Sequence, residues 1–149
     1  MAKVLIAEDD ALIAITLEMG LSMGGYEICG VVPTVAKGIE LAERHQPDLA
    51  VIDLRLANHD DGRELAVALN RSRRVGIVFA TGNLDLDQLA GGPGDICLQK
   101  PYRPADVVEA LRAVERMIQT GELPARLPEG LHLIDKIPRR DNGNKLSRG

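Results

Sequence analysis

The sequence contains very few aromatic residues: they make up 2% of its 149 residues, with no tryptophan, one phenylalanine and two tyrosines. A hydrophobic core therefore has to be built from aliphatic side chains, which are plentiful because hydrophobic residues reach 45%. A chain of this length is long enough to bury one such core. We therefore expect one domain of ordinary size whose core is built from Ala, Leu, Ile and Val.

Long apolar runs are also absent. No stretch reaches the roughly 18 residues that a membrane-spanning helix needs, and the acidic cluster at Glu8, Asp9 and Asp10 interrupts any signal-peptide pattern. The net charge of −4 gives no overall attraction to nucleic acid or to an anionic membrane. These features predict a cytoplasmic protein with no membrane partner.

Cysteine and histidine are scarce as well. Cys29 and Cys97 stand alone in strand-like runs and form no CxxC motif, so we expect both to be reduced core residues. The three histidines, His45, His59 and His132, share no metal-ligand spacing. The pattern therefore gives no indication of a zinc site or a disulfide framework.

What the chain does have is a regular alternation of short β-rich runs with longer helical runs, which is typical of βαβ units. The predicted strands cover residues 3–7, 26–32, 48–53, 75–81 and 95–99. The predicted helices cover residues 11–23, 34–45, 62–72, 84–90 and 104–120. This order predicts an α/β fold in which helices flank a doubly wound, five-stranded parallel sheet.

Polar residues stand at the ends of four of these strands. Glu8 and Asp9 follow the first strand, Asp53 ends the third, Thr81 ends the fourth and Lys100 follows the fifth. Because ligands bind at the carboxyl ends of strands in open parallel sheets, we expect these side chains to meet there. Three clustered carboxylates repel one another without a cation, and Mg²⁺ prefers such oxygen ligands. The sequence therefore predicts a Mg²⁺ site.

The same residues at the same strand ends, with Pro101 after Lys100, resemble the receiver domain of two-component response regulators over residues 3–120. The resemblance implies a flavodoxin-like receiver fold and makes Asp53 the phosphoryl acceptor. It further implies that Lys100, after a cis peptide bond to Pro101, pairs with the phosphoryl oxygens. Thr81 would bond one of those oxygens after transfer.

The resemblance also assigns metal ligands and partners. Asp9 and Asp53 would bind Mg²⁺ directly, Glu8 would act through water, and the backbone carbonyl of Arg55 would be a further ligand. The phosphoryl donor would be a histidine kinase or a histidine phosphotransfer protein, and the output would be a changed interaction with a downstream protein. Such a domain catalyses its own phosphorylation and slow dephosphorylation but is not a turnover enzyme.

Two features show where this chain differs from many receivers and which subgroup of receivers it resembles. Many receivers carry Tyr or Phe three residues before the lysine, where this chain has Cys97, so the usual ring movement is not expected. Residues 79–83, which read Phe-Ala-Thr-Gly-Asn, are similar to the Phe-Ala-Thr-Gly motif of a subgroup of stand-alone receivers. Tyr102 is the one aromatic residue close to Lys100 in the sequence.

Other functions remain open at this point. A phosphohydrolase of the haloacid-dehalogenase type also uses a strand-end aspartate, but it needs a second aspartate two residues later, where this chain has Arg55. A receiver that only drains phosphoryl groups, with no direct output, would carry the same residues. Direct DNA binding is not expected, because the 29 residues after Thr120 are too few for a winged-helix module.

The last part of the chain, residues 121–149, is interpreted as an extension of a receiver domain at residues 1–120. Its prolines favour partial disorder, whereas Leu131, Leu133, Ile134 and Ile137 suggest that part of it docks. A docking arm could cover the last helix or join two copies in a homodimer.

Overall fold

The protein forms a six-stranded sheet with helices on both faces in the computed structural model, which describes residues 1–136. The strands are β1 (Lys3–Ala7), β2 (Glu27–Val32), β3 (Leu49–Asp53), β4 (Gly76–Thr81), β5 (Ile96–Gln99) and β6 (Leu131–Leu133). The helices are α1 (Ala11–Met23), α2 (Val35–His45), α3 (Gly62–Leu69), α4 (Leu86–Leu89) and α5 (Pro104–Thr120).

The strand order is β2-β1-β3-β4-β5-β6, and the first five strands are parallel. The predicted fold class and the five predicted strands are therefore confirmed. The predicted strand number is wrong by one, because β6 pairs antiparallel with β5. A three-residue strand is too short to stand out in a proline-containing segment, and its pairing with an edge strand depends on contacts distant in sequence.

Two hydrophobic layers enclose the sheet. One layer joins β-strand side chains such as Val4 and Ile6 to α1 and α5, and the other joins Leu5 and Ile52 to α2 and α3. Every residue of β3 and β4 is buried, as expected for central parallel strands covered on both faces. Phe79, the one phenylalanine, lies fully inside the second layer.

Helix boundaries follow local hydrogen bonds. Asp10 caps α1 by accepting from the backbone N–H groups of Leu12 and Ile13, at 3.0 and 3.2 Å. Helix α3 ends at Leu69, before the predicted residue 72, because the Asn70 side chain donates to the carbonyl of Ala66 and accepts from the N–H of Val75. Helix α4 is a single turn, shorter than the predicted 84–90.

Helix α1 exposes the residues whose spacing predicts it. Leu12, Ile15, Met19 and Met23 are 56 to 87% exposed, whereas Ala14, Leu17 and Leu21 are buried against the sheet. The helix is therefore apolar on two faces. Its outer face leaves a row of large apolar side chains in solvent, which is unusual for a protein of this size.

The segment after α5 returns to the sheet. Besides the β5–β6 pairing, Gln99 donates its backbone N–H to Gly130 and Ile134 donates to Asp95, both at 3.0 Å. Part of the extension thus docks on β5. The predicted contribution of Ile137, and the rest of residues 137–149, lie outside the described residues. Across residues 1–136, no helix has the length and apolarity required to cross a bilayer.

Candidate functional site

Three carboxylates meet at the carboxyl ends of β1 and β3. One oxygen from each of Glu8, Asp9 and Asp53 lies within 4.8 Å of the others. Glu8 and Asp53 are buried and Asp9 is exposed, so the group forms a pocket that opens to solvent on one side. The sequence predicted this meeting from the positions of the strand ends, and the structure brings all three residues together.

Lys100 is the cation of this group. Its Nζ lies 2.5 Å from Asp53 Oδ2 and 3.9 Å from Glu8 Oε2. The backbone N–H of Lys100 donates to the carbonyl of Thr81 at 2.8 Å, which fixes the end of β5 against β4. The Lys100–Pro101 peptide bond is cis, as predicted. A single ammonium group therefore faces three carboxylates.

The electrostatics of the pocket reflect this imbalance. Burial raises the pKa of Glu8 to about 7, with a further contribution from Asp53, although the Asp10 backbone N–H and Lys100 act in the opposite direction. Burial also acts to lower the pKa of Lys100, but the Asp53 hydrogen bond and the nearby carboxylates outweigh it and raise that pKa. The site is short of positive charge.

The donor set fits a hard divalent cation. Carboxylate oxygens are the ligands of Mg²⁺ and Ca²⁺, whereas zinc sites are usually rich in histidine and cysteine, which this cluster lacks. The backbone N–H of Arg55 donates to Asp53 Oδ1 at 2.9 Å, so the Arg55 backbone is held against the cluster. These residues fit Mg²⁺, and the role of the Arg55 carbonyl as a ligand stays a prediction.

Comparison with a protein-family model identifies the family of this chain. The model described as the response regulator receiver domain matches residues 4–112. The chain belongs to this family. Receiver domains are signalling domains that interact with histidine kinases or phosphotransfer proteins, and they are not enzymes in the usual sense.

Individual relatives agree with this assignment. The chain is 36% identical over 118 residues to the transcriptional regulatory protein PdtaR of Mycobacterium tuberculosis, covering 76% of this chain and 57% of PdtaR. It is 30% identical over 143 residues to the phosphate regulon transcriptional regulatory protein PhoB of Pseudomonas aeruginosa, covering 92% and 62%. The chain thus matches only about three fifths of the length of these relatives.

The fold is also that of solved receivers. The signal receiver domain of a modulated diguanylate cyclase from Desulfovibrio desulfuricans superposes with a TM-score of 0.70 at 27% identity. The superposition covers 82% of this chain and 99% of the other. The first five strands, with their alternating helices, therefore form the receiver fold, and β6 lies outside residues 4–112, which the family model matches.

Thr81 lies beside the carboxylates without a direct bond to them. It is buried at the end of β4, and its hydroxyl donates to the carbonyl of Asn83 and accepts from the Asn83 N–H, at 3.2 and 3.1 Å. The hydroxyl lines a cleft of about 270 Å³ together with Arg55 and Asn83. In this receiver Thr81 is close to the site, but its hydroxyl is hydrogen-bonded to the backbone of its own turn.

Two residues at the site have no role in the sequence-based prediction. Gly62 packs so closely on β3 that a methyl group there would lie 2.3 Å from the carbonyl oxygen of Asp53. A glycine at the first position of a helix, after a polar loop, is the signal that sequence reasoning could have used. Tyr102 places its hydroxyl in the interior near Glu8 and Asp53, and no spacing rule indicates this.

Proposed function

We propose that this receiver accepts a phosphoryl group on Asp53 from a histidine kinase or a histidine phosphotransfer protein, in a Mg²⁺-dependent step. The observation that carries the proposal is the environment of Asp53. Its carboxylate lies 2.5 Å from the Lys100 ammonium and within 4.8 Å of two further carboxylates. A nucleophile, a charge-stabilising cation and a metal-ligand set are the parts that phosphoryl transfer requires.

The transfer step follows from these parts. One oxygen of Asp53 forms a bond to phosphorus while the phosphorus–nitrogen bond of phosphohistidine breaks. The leaving imidazole nitrogen keeps the bonding electrons. A Mg²⁺ ion held by Glu8, Asp9, Asp53 and the carbonyl of Arg55 would supply positive charge near the equatorial phosphoryl oxygens.

Lys100 and Thr81 act after the phosphoryl group arrives. The Lys100 ammonium, now on Asp53 Oδ2, pairs with a phosphoryl oxygen and keeps its charge because its pKa is raised. Thr81 exchanges its bond to the Asn83 carbonyl for a bond to a phosphoryl oxygen, which draws the loop after β4 toward the site. This local movement is the switch that would change binding to a downstream protein.

The donor protein would dock on α1. The exposed apolar residues Leu12, Ile15, Met19 and Met23 form a stripe that starts beside the acidic cluster and runs away from it. A largely apolar groove of about 510 Å³ lies between α1 and the segment after β5, with Leu12 and Lys100 among its lining residues. This surface suits an amphipathic helix that presents a phosphohistidine.

The domain boundary and the output surface belong to the same proposal. Residues 1–120 form the signalling unit, and the segment that follows covers the edge of β5 through Leu131–Leu133. Cys97, which replaces the usual aromatic residue, is buried and lies opposite His132 of β6. We propose that output at this edge passes through the extension rather than through a rotating ring, in a cytoplasmic protein.

The decisive experiment is incubation with acetyl phosphate and Mg²⁺ followed by intact mass measurement. We expect the wild-type chain to gain one phosphate and Asp53→Asn to gain none. Asp61→Asn is the matched control, because Asp61 caps α3 in the same loop and asparagine caps equally well. An EDTA arm tests the metal requirement.

Each result has one meaning. A wild-type chain that gains no phosphate with Mg²⁺ contradicts the proposed function. Gain by Asp53→Asn would place the acceptor elsewhere, and equal gain in EDTA would remove the metal from the mechanism.

A further inference from the structure

The Tyr102 hydroxyl lacks a hydrogen-bond partner although it is fully enclosed. Among the side-chain nitrogen and oxygen atoms of residues 1–136, it is the buried one with no partner. A buried hydroxyl without a partner costs free energy, and a phenylalanine would fill the same space without that cost. Such groups in folded proteins usually bind an ordered water molecule or an ion.

The surroundings of Tyr102 point toward the acidic cluster. Tyr102 lies two residues after Lys100 and lines the groove between that residue and Leu12. Burial raises the pKa of the Tyr102 hydroxyl, and the charges of Glu8 and Asp53 raise it further. The hydroxyl therefore keeps its proton at any physiological pH. Lys100, two residues earlier, holds its ammonium 2.5 Å from Asp53 Oδ2, so this segment of the chain lies beside the cluster.

The apolar part of the ring explains why the residue is aromatic but not why it is tyrosine. The ring packs against the hydrophobic layer between the sheet and α1 and α5. The hydroxyl adds nothing to this packing, because a buried polar atom contributes only when it is bonded. Its use has to come from a ligand present in another state of the protein.

We propose that Tyr102 is a positioning residue of the divalent-cation site, an inference that rests on the proposed function. In the cation-bound state the Tyr102 hydroxyl accepts a hydrogen bond from a water molecule on the cation. Mg²⁺ keeps several waters in protein sites, and each of these waters needs an acceptor. Partners of this kind typically change metal affinity by ten- to a hundredfold.

The matched comparison is between the two tyrosines. The Tyr26 hydroxyl bonds to Glu115 Oε1 at 2.5 Å, between β2 and α5 and away from the cluster. Tyr26→Phe therefore breaks a bond that exists without a cation, whereas Tyr102→Phe removes a hydroxyl that has no partner until a cation binds.

The experiment measures cation binding and stability on the full chain without any phosphoryl donor. Isothermal titration calorimetry gives the Mg²⁺ and Mn²⁺ dissociation constants of wild type, Tyr102→Phe and Tyr26→Phe. Thermal unfolding is recorded in EDTA and in saturating Mg²⁺. We expect Tyr102→Phe to weaken cation binding about tenfold, and its midpoint in EDTA to equal or exceed that of wild type.

The control should behave in the opposite way. We expect Tyr26→Phe to lower the unfolding midpoint in both conditions and to leave the dissociation constants unchanged. Equal cation affinity of Tyr102→Phe and wild type overturns the role of Tyr102, as does a loss of stability in EDTA as large as that of Tyr26→Phe. A wild-type chain that binds neither cation overturns this inference together with the metal requirement, whereas phosphorylation of Asp53 is tested separately.

Discussion

The two ends of strand β5 hold charge in opposite ways. At its carboxyl end the carboxylates of Glu8, Asp9 and Asp53 share one ammonium group, that of Lys100. At its amino end a single, fully buried carboxylate, Asp95, faces two cations. One end has an excess of negative charge and the other an excess of positive charge, on the same strand and in the same sheet.

The bonding at the amino end is complete. Asp95 accepts from Arg74 at 2.6 and 3.0 Å, from the backbone N–H of Ile77 at 2.8 Å, and is 3.1 Å from the Lys136 ammonium. These contacts join the start of β4, the start of β5 and the extension. At the carboxyl end the carboxylates lack enough donors. We infer that the amino end serves the fold alone, while the carboxyl end is left incomplete for a ligand.

The largest expected effect comes from breaking the complete end. Asp95→Ala leaves a buried backbone N–H and two cations without their partner, so we expect the free energy of unfolding to fall by about 3–4 kcal/mol. Arg74 and Lys136 are both partly exposed, and water will offset part of the loss. Urea unfolding at neutral pH in EDTA measures the change.

Asp53→Ala is the matched substitution at the other end. It removes the pair with Lys100 but also relieves repulsion with Glu8, so we expect a change within about 1 kcal/mol in EDTA. Equal losses for the two variants would contradict the distinction between a complete and an incomplete end.

The second prediction concerns pH and uses the raised pKa of Glu8. Because the folded-state pKa is about 7 against an ordinary 4.5, the folded protein holds this proton more tightly than the unfolded chain. The resulting stability is fully present below pH 4.5 and is lost as pH rises through 7. We expect this loss to be about 2–3 kcal/mol in EDTA.

Unfolding measured from pH 4.5 to pH 8 in EDTA tests this dependence. Glu8→Gln should flatten the curve, whereas Glu40→Gln, at an exposed pair on α2, should leave its shape unchanged. Saturating Mg²⁺ should also flatten it, because a bound cation favours the charged carboxylate. An identical slope for Glu8→Gln and wild type would show that Glu8 is not the group responsible.

The sequence predicted the incomplete end much better than the complete one. Glu8 and Lys100 directly follow a strand and Asp53 ends one, so the geometry of parallel sheets brings them together without any knowledge of tertiary contacts. Asp95 pairs with residues that are 21 positions before it and 41 positions after it, and no periodicity relates Arg74 to Lys136. The contacts of Asp95 with Arg74 and Lys136 can therefore be recognised only in the folded structure.

The same reasoning explains the other differences. Helix α1 is predicted from the spacing of Leu12, Ile15 and Met19, but spacing does not tell which of two apolar faces meets the sheet. Strand β6 was missed because three residues carry too little pattern. The unpaired hydroxyl of Tyr102 was missed because satisfaction of a buried group depends on every neighbour, not on the residue's own position.

The smallest expected effect separates the two cations at the complete end. Lys136→Met removes the half-exposed partner of Asp95 and its bond to the carbonyl of Gly94, while Arg74 keeps both of its bonds. We expect global stability to change by less than about 1 kcal/mol, since exposed pairs contribute little. The extension, however, loses one of its contacts beyond β6. Backbone amides of β6 should exchange about fivefold faster, while those of β3 are unchanged.

Arg74→Met is the comparison variant. Because Arg74 also donates to the carbonyl of Val75 and lies outside the extension, this substitution should lower global stability more and accelerate exchange in β4 as well. Faster exchange throughout the sheet in Lys136→Met would mean that Lys136 supports the whole core rather than fastening the extension to it.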